Sequence, residues 1–117
     1  AGAWDRDEIR CFSDQAGRQS HVVNKGRETQ MRALDSVLNG RPCTYLKMDV
    51  EGAEREAIAG ARQTIERERP KLNIAAYHRS EDFFELPLLI HSLCKDYALY
   101  LRHHPYVPAW DTNLYAR

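Results

Sequence analysis

The sequence predicts an α/β fold, in the form of half of a doubly wound sheet, and three observations carry that expectation. Two short runs of buried-strand type occur, Tyr45-Leu46-Lys47-Met48-Asp49-Val50 and Leu72-Asn73-Ile74-Ala75-Ala76-Tyr77. Between them, Ala57, Ile58, Ala61 and Ile65 recur at the three-to-four spacing of one buried helical face. After the second run comes an apolar helical segment and then two further strand runs. Strand, helix, strand, helix and strand followed by an antiparallel return is the order of such a half-sheet, and its first crossover is expected to be right-handed.

Each element has a local reason. Glu8 to Phe12 reads as a short strand, and His21-Val22-Val23 as a second, with Asn24-Lys25-Gly26 as turn chemistry after it. The stretch from Ser13 to Ser20 is polar and contains a glycine. Met31, Leu34, Val37 and Leu38 are spaced for a short amphipathic helix, or for a strand running into one, and Asn39-Gly40-Arg41-Pro42 stops it. The first clear strand ends at Glu51-Gly52, and a helix is expected over 53–68, where Pro70 forbids continuation. Ser80 is placed to cap a turn opening at Glu81. The helical segment beyond it runs to Cys94, with Pro87 tolerated where it opens a fresh first turn. Ala98-Leu99-Tyr100-Leu101 and Thr112-Asn113-Leu114-Tyr115 are the last strands, and Pro105 and Pro108 between them suit a reversal.

Composition narrows the function classes. At 117 residues the chain is one domain at most, read here as a β-rich lead-in over 1–33 and the half-sheet over 34–117. Seventeen basic residues balance seventeen acidic ones and are interspersed with them, so no patch for nucleic acid or an anionic membrane is expected. Trp4, Trp110 and the tyrosines show no regular interleaving with basic residues, which argues against a stacking surface for single strands. The longest apolar run, Leu86-Pro87-Leu88-Leu89-Ile90, is far short of the roughly 20 residues a membrane helix needs. Cys11, Cys43 and Cys94 are odd in number and widely spaced, as expected of reduced thiols in a cytoplasmic protein. The opening Ala1-Gly2-Ala3 has neither an initiator methionine nor a signal pattern, as expected of a piece of a longer chain.

The run Leu34-Asp35-Ser36-Val37-Leu38, followed by Tyr45-Leu46-Lys47-Met48-Asp49-Val50-Glu51-Gly52-Ala53-Glu54, resembles the signature of the FkbM methyltransferases. The resemblance continues through Gly60-Ala61 and Arg69-Pro70-Lys71-Leu72 to Tyr77-His78, then more weakly to Leu114-Tyr115. Asp-Val-Glu-Gly-Ala-Glu is its specific core. It implies a partial class I methyltransferase (Rossmann-like) sheet, with 45–50 as the fourth strand and the later strands as the fifth to seventh. It implies S-adenosylmethionine as cofactor and O-methylation of a small molecule or saccharide. The family's cofactor site rests mainly on a glycine-rich loop of the first strand and an acidic residue after the second. No G-x-G pattern occurs among the 117 residues, so no cofactor-binding residue is assigned, and this chain by itself is expected to bind the cofactor weakly.

Ligands of open α/β sheets gather outside the carboxyl ends of the parallel strands. Asp49 lies at that end of one strand and His78 follows the next, so the two are expected on one surface, with His78 as base and Asp49 as its orienter. The plainer alternative has Asp49 capping a helix and His78 in a structural hydrogen bond. Glu51 and Gly52, nearest the strand end, are the candidate acceptor-binding positions. Glu51 and Glu54 also suit the positive end of the following helix dipole, the simpler explanation for Glu54. Gly52 permits a sharp turn, and Gly60 inside a helix suggests close helix–sheet packing. Asp49, Glu51, His78, His91, His103 and His104 are metal-ligand types, but no H-x-x-x-H or H-E-x-x-H spacing exists, and no metal is assigned.

Three classes of function are compatible with these residues. The first is the methyltransferase. The second is a non-catalytic half-domain that assembles with another chain, favoured by the missing glycine loop. The third, weaker, is a metal-assisted hydrolase. The strand at 45–50 lacks proline and Lys47 is its only inward charge, so its edge is expected to pair with a second copy in a homo-oligomer.

Overall fold

The computed structural model describes residues 1–12, 22–23, 27–103 and 112–117. The expectations for Ser13 to Ser20, for His21, for the Asn24-Lys25-Gly26 turn and for the Pro105 and Pro108 reversal lie outside the described residues. Among the described residues, eight strands and four helices follow in order: β1 Gly2–Ala3, β2 Glu8–Phe12, β3 Val22–Val23, β4 Arg27–Arg32, α1 Leu34–Leu38, β5 Tyr45–Met48, α2 Glu54–Ala59, α3 Arg62–Glu68, β6 Lys71–Ala75, α4 Asp82–Leu93, β7 Leu99–His103 and β8 Thr112–Ala116.

The strands form two sheets. The second, β5-β6-β8-β7, is the half-sheet expected from the sequence. β5 and β6 are adjacent and parallel, with Leu46 opposite Leu72 and Met48 opposite Ile74. β8 returns antiparallel between β6 and β7, which makes β8 and β6 the inner strands and β5 and β7 the edges of this sheet among the described residues. Along β8 the burial alternates, with Thr112, Leu114 and Ala116 buried and Asn113 and Tyr115 only half-buried, the period of a sheet covered on one face. Leu72 and Ile74 oppose Ala116 and Leu114 across the β6–β8 pair. They join Ala57, Ile58, Ala61 and Ile65 of the first crossover, and Leu86 and Ile90 of α4, in one core. Burying side chains of this size is worth about 1.5–3 kcal/mol each, which makes this layer the main source of stability.

Two helices differ from expectation. The segment 53–68 is not one helix but two, broken at Gly60-Ala61. The cause is the first sheet, β1-β4-β2-β3, which docks on the break. A β-carbon at Gly60 would collide with the Trp4 carbonyl oxygen and sit 3.2 Å from the Ala33 α-carbon. The close approach that Gly60 allows is therefore to the backbone of Trp4 and Ala33. Asp35 of α1 restarts the helix: its own N–H donates to the Gly60 carbonyl at 2.8 Å, and its carboxylate accepts from the Gln63 and Thr64 N–H groups, each at 2.9 Å. The second difference is Pro87, which stands inside one continuous α4 instead of opening a new turn. Leu86 and Ile90, fully buried on either side of it, anchor the helix to the core and offset the missing hydrogen bond.

The strand-into-helix option holds for β4 and α1, which meet at Ala33. The N-terminal sheet carries its own fixings. Trp4 is buried under the Arg10 guanidinium, 4.3 Å from the ring centroid, and the Asp7 carboxylate accepts from the Ala33 N–H at 2.8 Å. That backbone bond, followed by burial acting in the opposite sense, and then the Arg32 charge, leaves the Asp7 carboxyl below its ordinary range. The β2 region pairs within this sheet and does not add a strand beside β5.

Candidate active site

The site forms where β5 and β6 end. Beyond Met48 the chain turns sharply through Val50-Glu51-Gly52-Ala53, closed by the Ala53 N–H donating to the Val50 carbonyl at 3.2 Å. Glu51 and Gly52 both have positive φ, 55° and 89°, the pattern of a type I′ turn. At the second position only glycine is comfortable, and an added β-carbon would also meet the Arg79 Nε at 3.4 Å. The turn points Glu54, the first residue of α2, back over the end of β5.

That direction decides the role of Glu54. Its side chain is fully buried, and its Oε1 accepts from the Val50 N–H at 3.0 Å and lies 2.9 Å from His78 Nδ1. An ionised Glu54 carboxylate would only accept here, a role that would place the shared proton on Nδ1, while Nε2 faces the strand ends. Nε2 lies 3.5 Å from Asp49 Oδ1 and 3.5 Å from Glu51 Oε2, both side chains nearly half exposed. Tyr77 donates its hydroxyl to Asp49 at 3.3 Å, and its ring lies 4.3 Å from the His78 ring.

Asp49 and His78 thus meet at the carboxyl ends of neighbouring strands. Nδ1 is in contact with Glu54, while Asp49, the residue expected to orient the ring, faces Nε2. Glu51 stands on the same side of the imidazole as Asp49. Gly52 supplies the turn, and a β-carbon added there would lie 3.8 Å from the His78 β-carbon. Asp49, Glu54 and His78 bring one ligand atom each within 4.8 Å of one another, a cluster that could hold a metal although no spacing in the sequence announced it. His91 lies in the last turn of α4, His103 pairs through Nδ1 with Thr112 at 3.0 Å, and His104 is outside the described residues.

Sequence reasoning missed two residues. Glu54 looked like a helix-dipole charge because its position at the start of α2 explains it without reference to His78. Asp82, in the first turn of α4, is the other: its side chain is buried and neither oxygen has a hydrogen-bond partner among the described residues. Burial, and then the charge of Glu54, push its carboxyl above the ordinary range.

An α/β sheet with a carboxylate-held histidine at its strand ends is a familiar setting for proton transfer at a bound hydroxyl. The chain belongs to the FkbM methyltransferases: the family's model, Methyltransferase FkbM domain, matches residues 8–108. The match begins well before Leu34, so most of the N-terminal sheet falls within the family's pattern. Among solved structures the chain is similar to the methyltransferase FkbM of Methylobacillus flagellatus KT, with 35% identity and a TM-score of 0.79. All of this chain is covered but only 27% of that one. No curated protein sequence gives a significant match. Among the described residues, no helix is long and apolar enough to cross a membrane.

Proposed function

We propose that this chain supplies the acceptor side of an S-adenosylmethionine-dependent O-methyltransferase, with His78 as base and Glu54 as its positioning residue. The observation that supports it is the 2.9 Å contact between the buried Glu54 carboxylate and Nδ1, which leaves the Nε2 lone pair facing an open rim of Asp49, Glu51 and Tyr77. A rim of two carboxylates and a phenol suits an acceptor with several hydroxyl groups, a saccharide or a small polyol, because each carboxylate accepts from a hydroxyl donor.

The acceptor side is assigned to this chain because it contains no glycine-rich loop for the cofactor, and because β5 pairs with β6 alone among the described residues. S-adenosylmethionine would supply an electrophilic methyl group, and the chain's own contribution is to take the proton from the acceptor hydroxyl. The acceptor hydroxyl donates to Nε2, the proton passes to Nε2 as the oxygen becomes nucleophilic, and the resulting imidazolium is stabilised by Glu54 behind it and by Asp49 and Glu51 beside it. A positioned base of this kind contributes about 10²–10⁴-fold.

The test is methyl transfer from labelled S-adenosylmethionine to a panel of sugars and polyols by the polypeptide that carries this chain. His78→Gln is expected to reduce turnover by about 100-fold or more, with cofactor affinity changed less than about twofold. An unchanged rate would leave His78 structural. The edge of β5, without a strand partner on one side among the described residues, favours a second reading, in which the isolated chain is an assembling half-domain without activity of its own.

A further inference from the structure

We propose that the face of the β5-β6-β8-β7 sheet turned away from the helices is a platform for an acidic saccharide, with Tyr100 and Tyr115 against its sugar rings and Lys47, Lys71 and Arg102 pairing with its carboxylates. Met48, Leu72, Ile74, Leu114 and Ala116 pack with the helices in the core on one side of this sheet. Strand residues alternate between faces, so the residues between them line the other side. Tyr45, Lys47, Lys71, Asn73, Tyr100 and Tyr115 stand there, each exposed or half-buried.

The charge on this face has one sign. None of the four strands contains an aspartate or a glutamate. Along the chain the cations are separated by apolar residues and the net charge is zero, so the patch exists only once the strands pair. Lys47 lies opposite Asn73, Asn73 opposite Tyr115, and Tyr115 opposite Tyr100, one row across all four strands. Lys71 flanks this row opposite Tyr45, whose hydroxyl accepts from the Asn73 amide at 3.2 Å. The Arg102 and Arg117 guanidinium carbons stand 5.6 and 5.3 Å from the Tyr100 ring centroid. A sheet face built to be covered by a further helix is apolar. This one presents ammonium, guanidinium, amide and phenol groups.

These groups select the occupant. Cations without acidic neighbours attract an anion, and phenol rings offer flat apolar faces with polar tips. The row spans three strand spacings, about 14 Å, the length of a short oligosaccharide. It also leads to the candidate active site: Lys47 is two residues before Asp49, and Ala75 of β6 is two before Tyr77. A single-stranded nucleic acid would stack and pair here too, but its phosphates would run on towards Asp49 and Glu51, which repel them. A saccharide brings hydroxyls to the same carboxylates, which accept from them. The role as an acceptor platform rests on the methyl-transfer reading above; the binding itself does not.

The test is calorimetric titration of the chain with oligogalacturonate, a neutral maltooligosaccharide and a single-stranded oligouridylate, all of matched length. Oligogalacturonate is expected to bind, and the other two at least about tenfold more weakly. Lys71→Gln and Arg102→Gln change exposed side chains outside the core, and each is expected to weaken oligogalacturonate by about two- to fivefold. The two together are expected to weaken it by about tenfold, while methyl transfer to a neutral polyol stays unchanged. Equal affinity for the neutral sugar, tighter binding of oligouridylate, or binding that survives the double substitution would each overturn the platform. A protein that fails this titration yet transfers methyl groups through His78 loses only the platform. One that binds oligogalacturonate as described, but transfers methyl groups normally after His78→Gln, loses only the base.

Discussion

Glu54 and His78 are twenty-four positions apart, yet the Glu54 carboxylate lies 2.9 Å from the His78 Nδ1 and has no exposed side-chain surface. Two features of the fold impose the contact. The Glu51-Gly52 turn aims the first residue of α2 back across the end of β5, and the parallel pairing of β5 with β6 brings His78 to the same end. The same carboxylate also holds the Val50 N–H, which ties the turn to the site it serves.

Gly60→Ala is expected to destabilise the fold by about 2–3 kcal/mol. The added methyl would meet the Trp4 carbonyl group and the Ala33 α-carbon at once, and both are backbone, so neither can rotate away. Urea denaturation of the variant checks this, and a change under about 0.5 kcal/mol, the scale of a neutral surface substitution, would mean that the N-terminal sheet does not dock there.

Tyr97→Phe is expected to cost about 1 kcal/mol. The buried Tyr97 hydroxyl donates to the Pro70 carbonyl at 2.6 Å and fastens the loop after α4 to the start of β6. Burial pushes its ionisation up to about 12, so a spectrophotometric alkaline titration of the parent should show a late-ionising tyrosine that the variant lacks.

Much of this fold was legible because its elements are short and locally punctuated. The strand runs at Tyr45 and Leu72, the helical period of Ala57 and Ile58, and the stops at Pro42 and Pro70 are all properties of neighbouring residues. The break at Gly60 was not legible, because it is caused by Trp4, more than fifty residues away. The site divides in the same way. Asp49 and His78 follow from strand ends, whereas Glu54 and Asp82 sit at helix starts, where an acidic residue already has a local explanation. Only their burial, set by the packing of α2 against α4, shows that more is involved.

Asp82 gives the fold a pH dependence with a definite sign. Its folded-state ionisation is raised by burial first and by Glu54 second, with Arg79 and Arg55 acting in the opposite sense and Glu81 in the same one. A raised carboxyl means that the folded state holds its proton more tightly than the unfolded chain. The contribution to stability is therefore full below the ordinary carboxylate range, near pH 4, and is lost as pH rises through the higher folded value. Melting temperatures across that window should fall less steeply for Asp82→Asn than for the parent. Parallel curves would show that Asp82 does not titrate abnormally.

The edge of β5 is expected to make the isolated chain self-associate. β5 pairs with β6 on one side only among the described residues, and its Tyr45 side chain is more than half exposed. Light scattering across a concentration series should show mass rising with concentration, and Tyr45→Lys should reduce the rise by placing a charge on the strand. A monomer at all concentrations would mean that this edge is covered or repelled in some other way.

Nitrogen-15 spectroscopy of the His78 ring tests the central claim most directly, because it reads the tautomer without a substrate. With Glu54 accepting from Nδ1, the neutral ring should carry its proton on Nδ1 and show a bare Nε2. Glu54→Gln should remove that preference, since a neutral amide places no fixed charge behind the ring. A proton found on Nε2 in the parent, or a tautomer that Glu54→Gln does not move, would contradict the assignment of Glu54 as the residue that prepares His78.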